Sequence, residues 1–591
     1  MRVLYLAFAA CLGLCASTKP AIKQLHVFIP MRDGVKLAAN VFLPDEPARR
    51  PVILERTPYG KTDLGSNYEF FVNHGYVVVV QDVRGRYESE GSFTPMRQEP
   101  NDGDDTLNWI ARQPWSDGKI GMIGGSYRGI VQWKVAVLNN PHLKAIFPVV
   151  SGYDDYRDRF FSTGGAFKLG HRLEWLSENV KAPGFKPDFS KYILHLPLRS
   201  SDIAATGWTS ELYREVMAHP TFDSYWRSIS IKEQIQKVRV PVFSVGGWYD
   251  NYVQSDLEAY AALHKTSGLN RILVGPWPHS MSQTFADTDF GPESMQPIRA
   301  MQLAWFDQWL MGKDSLMVSQ PPVKIFVMGS NKWLDAREWP PENARSTKFF
   351  LTSGGKANTL DGDGELADKP SPKPVEDHYL FDPRDPAPTR GGSVCCNPKV
   401  FPWGPMDQRP VEHRKDVLVF STKPLKKDLE IVGPVQVDLY VATSAKDTDF
   451  SAKLVDVFPD GYARNLTDGL LRLRYRNSLS TPELAKEGDV YHITIDAGVT
   501  SNVFLKGHRI RLEISSSNFP RFDRNPNTGG SIPDETRLLT ANQTIFHDRT
   551  RPSSLMLMVI PPESGQTAKH GTMEKNALVP GHSTIPVDHR R

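Results

Sequence analysis

The sequence predicts an α/β domain carrying a helical insert, followed by an all-β sandwich. Three observations carry that prediction. From about residue 22 to 150, apolar strand-like runs alternate with helix-like stretches such as Asp104 to Arg112, the signature of a parallel sheet with crossover helices. From about 151 to 237 the alternation stops, and helix-like segments rich in aromatics appear, among them Trp175, Trp208, Tyr213, Tyr225 and Trp226. Beyond a linker near Pro340-Pro341, short β-rich runs are separated by Gly, Pro and Asp turns.

Taken in order, residues 1–17 read as a secretory signal peptide. Met1-Arg2 precedes an apolar run from Val3 to Leu14, too short to span a bilayer, and the small residues Cys15-Ala16-Ser17 follow. This predicts export, to a periplasm or the exterior, with no membrane span once the leader is removed. The α/β domain is expected over 18–150 and 238–342. Its run of four valines, Val77 to Val80, suits a buried parallel strand. That run ends in Gln81-Asp82-Val83-Arg84-Gly85-Arg86, where an ion pair of Asp82 with Arg84 or Arg86 is expected to shape the following loop. The helical cap is placed over 151–237, and its aromatics divide between core packing and the lining of an apolar pocket. The sheet resumes at Val238 and closes with an amphipathic stretch, Met295 to Trp309. The sandwich is assigned to 343–565, with strands expected at Lys348 to Leu351, Asp416 to Phe420, Val435 to Val441, Tyr491 to Ile495 and Arg509 to Ile514. A loosely ordered tail is assigned to 566–591.

At 591 residues the chain is too long for one core. A hydrophobic content of 40 % indicates ordinary globular packing, and a net charge of +3 gives no basic stripe, so no nucleic-acid partner is expected. Without the leader, Cys395 and Cys396 are the remaining cysteines. They have no Cys- or His-rich companions, so no metal site is expected. Adjacent cysteines suit either a vicinal disulfide, which an oxidising compartment permits, or two thiols.

The chemistry centres on Ser126. It lies in Gly124-Gly125-Ser126-Tyr127-Arg128-Gly129, between strand-like Lys119 to Ile123 and helix-like Ile130 to Leu138. Small residues flanking a serine at a strand-to-helix turn allow a sharp bend that lifts the hydroxyl above the sheet, as in a nucleophile elbow. The usual spacing Gly-x-Ser-x-Gly is not met, since the second glycine comes one residue late, at Gly129. Two further strand-like runs end in suitable partners: Val240 to Tyr249 at Asp250, and Arg271 to Pro278 at His279. Reactive groups collect beyond the carboxyl ends of parallel strands, and the order Ser126, Asp250, His279 is that of an α/β-hydrolase. Taken singly, Asp250 before Asn251 also suits a turn acid, and His279 a loop histidine.

Several separate strings resemble the cocaine esterase and X-Pro dipeptidyl-peptidase family of serine hydrolases. They are Arg56-Thr57-Pro58-Tyr59-Gly60, Gln81 to Arg86, Gly125 to Trp133, Gly247-Trp248-Tyr249-Asp250, Val274 to His279, Gly404 to Arg409 and Phe504 to Leu512. The resemblance implies that the sandwich is a jelly roll, that Ser126, Asp250 and His279 are catalytic, and that the phenol of Tyr59 and the amide of Tyr127 form the oxyanion hole. The assignment of Tyr127 agrees with the general rule that the residue after the nucleophile donates its amide. No cofactor is required.

The expected substrate is a small ester or amide, and carboxylic ester hydrolysis is the leading expectation. One branch of this family binds a substrate ammonium through a carboxylate cluster near the catalytic site. Here Asp250 is followed by Asn251, Tyr252 and Val253, which argues against an obligatory α-amino group on the acyl part, although Asp154, Asp155 or Asp158 in the cap could supply a charge. Two rivals stand beside this reading: an X-Pro dipeptidyl-peptidase or acylase with an unrecognised amine anchor, and a binding protein with a degenerate hydrolase domain.

Overall fold

The computed structural model describes residues 21–180, 188–395 and 402–562. The expected signal peptide, the whole of the expected tail and Cys396 lie outside the described residues.

The first sheet has ten strands: β1 (Ile22–Pro30), β2 (Lys36–Pro44), β3 (Arg50–Thr57), β4 (Val77–Asp82), β5 (Ser116–Gly125), β6 (Leu143–Val149), β7 (Phe243–Tyr249), β8 (Arg271–Pro278), β9 (Val323–Val327) and β10 (Lys332–Ala336). Their spatial order is β1-β2-β4-β3-β5-β6-β7-β8-β9-β10. The strands from β4 to β9 pair in parallel, whereas β1 with β2, β2 with β4 and β9 with β10 are antiparallel. The sheet is therefore mixed, not wholly parallel as expected. Short turns between β1 and β2, at Asp33-Gly34, and between β9 and β10 leave no room for a crossover helix, so those two pairs must be antiparallel. In the interior, β4 is buried at all six positions, as a strand covered on both faces must be. Helices α1 (Ser66–Asn73), α2 (Glu99–Ala111) and α3 (Tyr127–Ala136) are crossovers of this sheet.

Between β6 and β7 the chain leaves the sheet. It forms a π-helical turn over Asp155–Phe160, helix α4 (Leu169–Val180) and several helices of four to eight residues up to Ile229. Aromatic packing holds this cap together, with Tyr156 against Phe161, Phe222 and Trp226 at ring separations of 4.5 to 5.6 Å.

From Arg345 to Ile560 the structure is a jelly-roll sandwich of eleven strands. It contacts both the sheet domain and the cap. The Tyr249 hydroxyl donates to the Asn465 carbonyl at 3.0 Å, and Ser393 Oγ donates to the Trp248 carbonyl at 3.2 Å, so the end of β7 is fixed against the sandwich. The amide of Phe167 donates to Asp523 at 2.8 Å and that of Gly170 to the Pro520 carbonyl at 2.8 Å, which anchors the start of α4. Cys395, in this domain, is disulfide-bonded. Among the described residues, no helix is long and apolar enough to cross a membrane.

One buried cluster in the sandwich sets a stability dependence on pH. Glu412 pairs with Arg511 at 2.7 Å, and nearby Glu513 pairs with Lys453 at 3.1 Å. Burial, and next the Glu513 charge, push the Glu412 carboxyl up to about 8. The folded protein thus holds a proton that the unfolded chain releases near its ordinary value. The resulting stability is complete at acid pH and is lost as pH rises towards 8. Glu412→Gln is expected to flatten this fall, so that the wild-type Tm drops by a few degrees more than the variant's between pH 5 and 8, as calorimetry would read.

Candidate active site

Ser126 stands between β5 and α3 with φ 57° and ψ −126°, a conformation that costs a residue with a Cβ about 1–3 kcal/mol. The turn is secured by its backbone. The Ser126 amide donates to the Val149 carbonyl at 2.9 Å, and its carbonyl accepts from Gly129 and Ile130 at 2.8 and 3.0 Å. The unusual glycine spacing has a steric explanation. A Cβ on Gly124 would lie 2.5 Å from the Cβ of Arg128, so the missing side chain of Gly124 makes room for an arginine where the usual motif has glycine. Gly129 then makes the close approach to the neighbouring segment, where a Cβ would lie 2.6 Å from that of Ser151. Arg128 in turn pairs with Glu55 at 3.0 Å.

Asp250 and His279, from the ends of β7 and β8, are joined by a hydrogen bond of 2.6 Å between Asp250 Oδ2 and His279 Nδ1. The other carboxylate oxygen accepts from the Tyr252 amide at 3.0 Å. Both side chains are buried. A buried carboxylate on Nδ1 fixes the ring orientation and leaves Nε2 to act as a proton acceptor.

Tyr59 follows β3, and its hydroxyl lies close enough to the side chain of Ser126 for the serine to favour its ionised form slightly. Trp175 Nε1, from α4, approaches the same hydroxyl at 3.4 Å. Burial raises the Tyr59 phenol above its ordinary value, so it remains a proton donor at neutral pH. Tyr127 is the first residue of α3, where an amide has no intrahelical acceptor. Its ring is held by a 2.7 Å bond from its hydroxyl to Glu99, by the Met96 amide at 3.0 Å, and by stacking on Trp175 at 6.2 Å. Glu99 is paired with Arg56 at 2.8 Å, so the whole base of the turn is buried and bonded.

The structure corrects the expected ion pair of Asp82 with Arg84 or Arg86. Asp82 accepts from the Lys61 amide at 2.5 Å and faces Lys61 Nζ at 3.7 Å. Arg84 pairs with Asp102 and Asp33 at 2.6 and 2.7 Å, and Arg86 donates to the Pro58 carbonyl at 2.9 Å. Asp82 and Arg86 therefore clamp the chain on both sides of Tyr59. Which cation meets which carboxylate depends on the path of the 58–61 loop, and no local pattern within 81–86 encodes that path.

The three cap acids offered as amine anchors are committed elsewhere. Asp154 pairs with Arg157 and Lys232 at 2.7 and 3.1 Å, and Asp155 with Lys134 and Arg159 at 2.6 and 3.0 Å. Asp158 accepts from the amides of Tyr153 and Asp154 and from Ser255 Oγ at 2.6 to 2.9 Å. Two side chains near the pair were not singled out from sequence: Tyr252, whose ring lies 5.8 Å from that of His279, and Arg172, which donates to the Tyr252 hydroxyl at 3.1 Å.

Comparison with known proteins agrees with this architecture. Residues 33–281 match the X-Pro dipeptidyl-peptidase (S15 family) model, and residues 317–556 match the X-Pro dipeptidyl-peptidase C-terminal non-catalytic domain. The chain is 39 % identical to a cocaine esterase of Rhodococcus sp. (strain MB1 Bresler) over 90 % of this chain and 98 % of that one. Among solved structures, an aminopeptidase from a marine sediment archaeon, Thaumarchaeota archaeon, superimposes with a TM-score of 0.82 at 26 % identity, covering 91 % of this chain and 97 % of the other. An α-amino acid ester hydrolase gives a TM-score of 0.80 at 26 % identity, covering 94 % and 98 %. An elbow serine, a buried Asp–His pair, a jelly roll seated on β7 and these matches lead to one conclusion: the chain belongs to the cocaine esterase and X-Pro dipeptidyl-peptidase family and is a serine hydrolase acting on esters or peptide bonds.

Proposed function

We propose that the protein is a carboxylesterase working through Ser126, His279 and Asp250. The observations that carry this are the 2.6 Å Asp250–His279 bond at the ends of β7 and β8 and a serine held at positive φ at the end of β5 in the same parallel sheet. His279 Nε2 takes the proton of Ser126 Oγ as that oxygen attacks the ester carbonyl carbon. Asp250 keeps the proton on Nδ1 and stabilises the imidazolium that forms. The negative oxygen of the tetrahedral intermediate is stabilised by the Tyr59 phenol and the Tyr127 amide. His279 then returns the proton to the leaving alcohol. Water, deprotonated by the same ring, resolves the acyl-enzyme.

Esters are favoured over peptides because Asp154, Asp155 and Asp158 are already bonded to other groups, which leaves a free N-terminal ammonium without an anchor among them. The test is hydrolysis of 4-nitrophenyl acetate and butyrate alongside glycyl-prolyl-4-nitroanilide, each compared with Ser126→Ala. Ester turnover that disappears in the variant, with little anilide turnover, is expected. Anilide turnover exceeding ester turnover would instead assign the protein to the dipeptidyl-peptidases.

The Tyr59 donor has its own test. Tyr59→Phe keeps the ring and removes the hydroxyl, and is expected to lower kcat by about 10²- to 10³-fold with little change in KM, the usual effect of losing one oxyanion donor. A change confined to KM would move Tyr59 from the transition state to substrate binding. We assign the protein to an exported location, on the strength of the leader-like residues 1–17 and the disulfide at Cys395. N-terminal sequencing of protein recovered outside the cytoplasm would show cleavage near Ser17.

A further inference from the structure

The start of α4 gathers three cationic or potentially cationic side chains that make no ion pair among the described residues. Lys168, His171 and Arg172 are 7 %, 2 % and 2 % exposed. Lys168 Nζ donates to the backbone carbonyl of Asp158 at 2.7 Å. Arg172 donates through Nη2 to the Tyr252 hydroxyl at 3.1 Å, and its Nε has no acceptor. Both ring nitrogens of His171 are buried without a partner. Among the described residues, none of the three enters an ion pair.

A buried charge without a counter-ion is costly, and folded proteins normally pair it. Here the nearby acids are engaged: Asp250 with His279, Asp155 with Lys134 and Arg159, and Asp158 with two amides and a hydroxyl. Burial and then the Arg172 charge lower Lys168, to about 7, and lower His171 as well, whereas the guanidinium does not deprotonate and keeps its charge.

The location gives this charge a purpose. Arg172 lies 5.9 Å from the centre of the Tyr252 ring, which in turn lies 5.8 Å from the ring of His279. Trp175, three residues further along α4 and so on the same face as Arg172, reaches the hydroxyl of Tyr59. One face of α4 therefore carries a guanidinium at Tyr252, the ring that neighbours His279, and an indole at Tyr59. We propose that Arg172, with His171 beside it, binds a carboxylate carried by the substrate, so that the preferred esters bear an anionic group. This rests on the esterase reading and deepens it. It also disfavours substrates with an ammonium group, which would meet the same guanidinium.

The carboxylate can belong to the acyl or the alcohol half, and two matched pairs separate these sources. Mono-4-nitrophenyl adipate is compared with its terminal amide for the acyl half, and 4-acetoxybenzoate with 4-acetoxybenzamide for the alcohol half. The wild type is expected to favour the anionic member of one pair by about 10- to 100-fold in kcat/KM, the range for a charged hydrogen bond. Arg172→Met is expected to bring that ratio close to one, mainly through KM, and Arg172→Lys to retain part of it. A ratio near one in the wild type for both pairs, or one unchanged in Arg172→Met, overturns the proposal. Calorimetric titration of wild-type protein with adipate and with adipamide reads the same site without turnover or a variant. Adipate alone is expected to bind, and equal binding or none overturns the proposal. Failure of the esterase reading is distinct, since it would appear as absence of Ser126-dependent turnover of the neutral members.

Discussion

Ser126→Ala is expected to lower kcat for ester hydrolysis by about 10⁶-fold, the size of effect found when a triad nucleophile is removed. The remaining rate would come from the Tyr59 and Tyr127 donors and from binding, which act without the nucleophile. Stability separates this from a folding defect. Alanine suffers the same steric cost at φ 57° as serine, so Ser126→Ala should melt with the wild type. Ser126→Gly should be equally inactive yet more stable, by about 1 kcal/mol. Glycine removes a strain of about 1–3 kcal/mol and costs about 0.5–1 kcal/mol in added freedom of the unfolded chain. Denaturant unfolding of the three proteins measures the difference. A glycine variant no more stable than the wild type would mean that the elbow stores no strain.

Asp250→Asn has the second largest expected effect, a fall in kcat of about 10⁴-fold near neutral pH. The side-chain carbonyl oxygen of the introduced amide would still accept from the Tyr252 amide, so the local turn is kept. The group facing His279 Nδ1 changes from a carboxylate to an amide, which allows the imidazole its unproductive tautomer and no longer stabilises the imidazolium. The rate of labelling by a fluorophosphonate should fall in parallel, because it uses the same activated oxygen. Loss of turnover with undiminished labelling would place the role of Asp250 after acylation.

Much of the site was legible because it follows strand ends. Ser126, Asp250 and His279 each terminate a buried apolar run, and a parallel sheet brings such ends to one edge whatever separates them in sequence. The late glycine of the elbow was legible only as an anomaly. Its resolution lies in a contact between Gly124 and Arg128 that spacing does not reveal. β9 and β10 were not anticipated: each has five residues, and β10 is only partly buried, leaving little periodic signal. Arg172 and His171 had no signal at all. On an amphipathic helix a basic residue ordinarily faces solvent, and only the tertiary structure, with Pro520 and Asp523 of the jelly roll anchoring the segment before and at the start of α4, shows that these two are buried. Trp175 stood out as a cap aromatic, but its reach to Tyr59 depends on that same docking.

The most direct test is intact-protein mass spectrometry after treatment with a fluorophosphonate, followed by localisation of the adduct. A single adduct on Ser126, forming at the rate at which ester turnover is lost, is the predicted result. An adduct on another residue, or turnover that persists in protein fully labelled at Ser126, would contradict the assignment of Ser126 as the nucleophile.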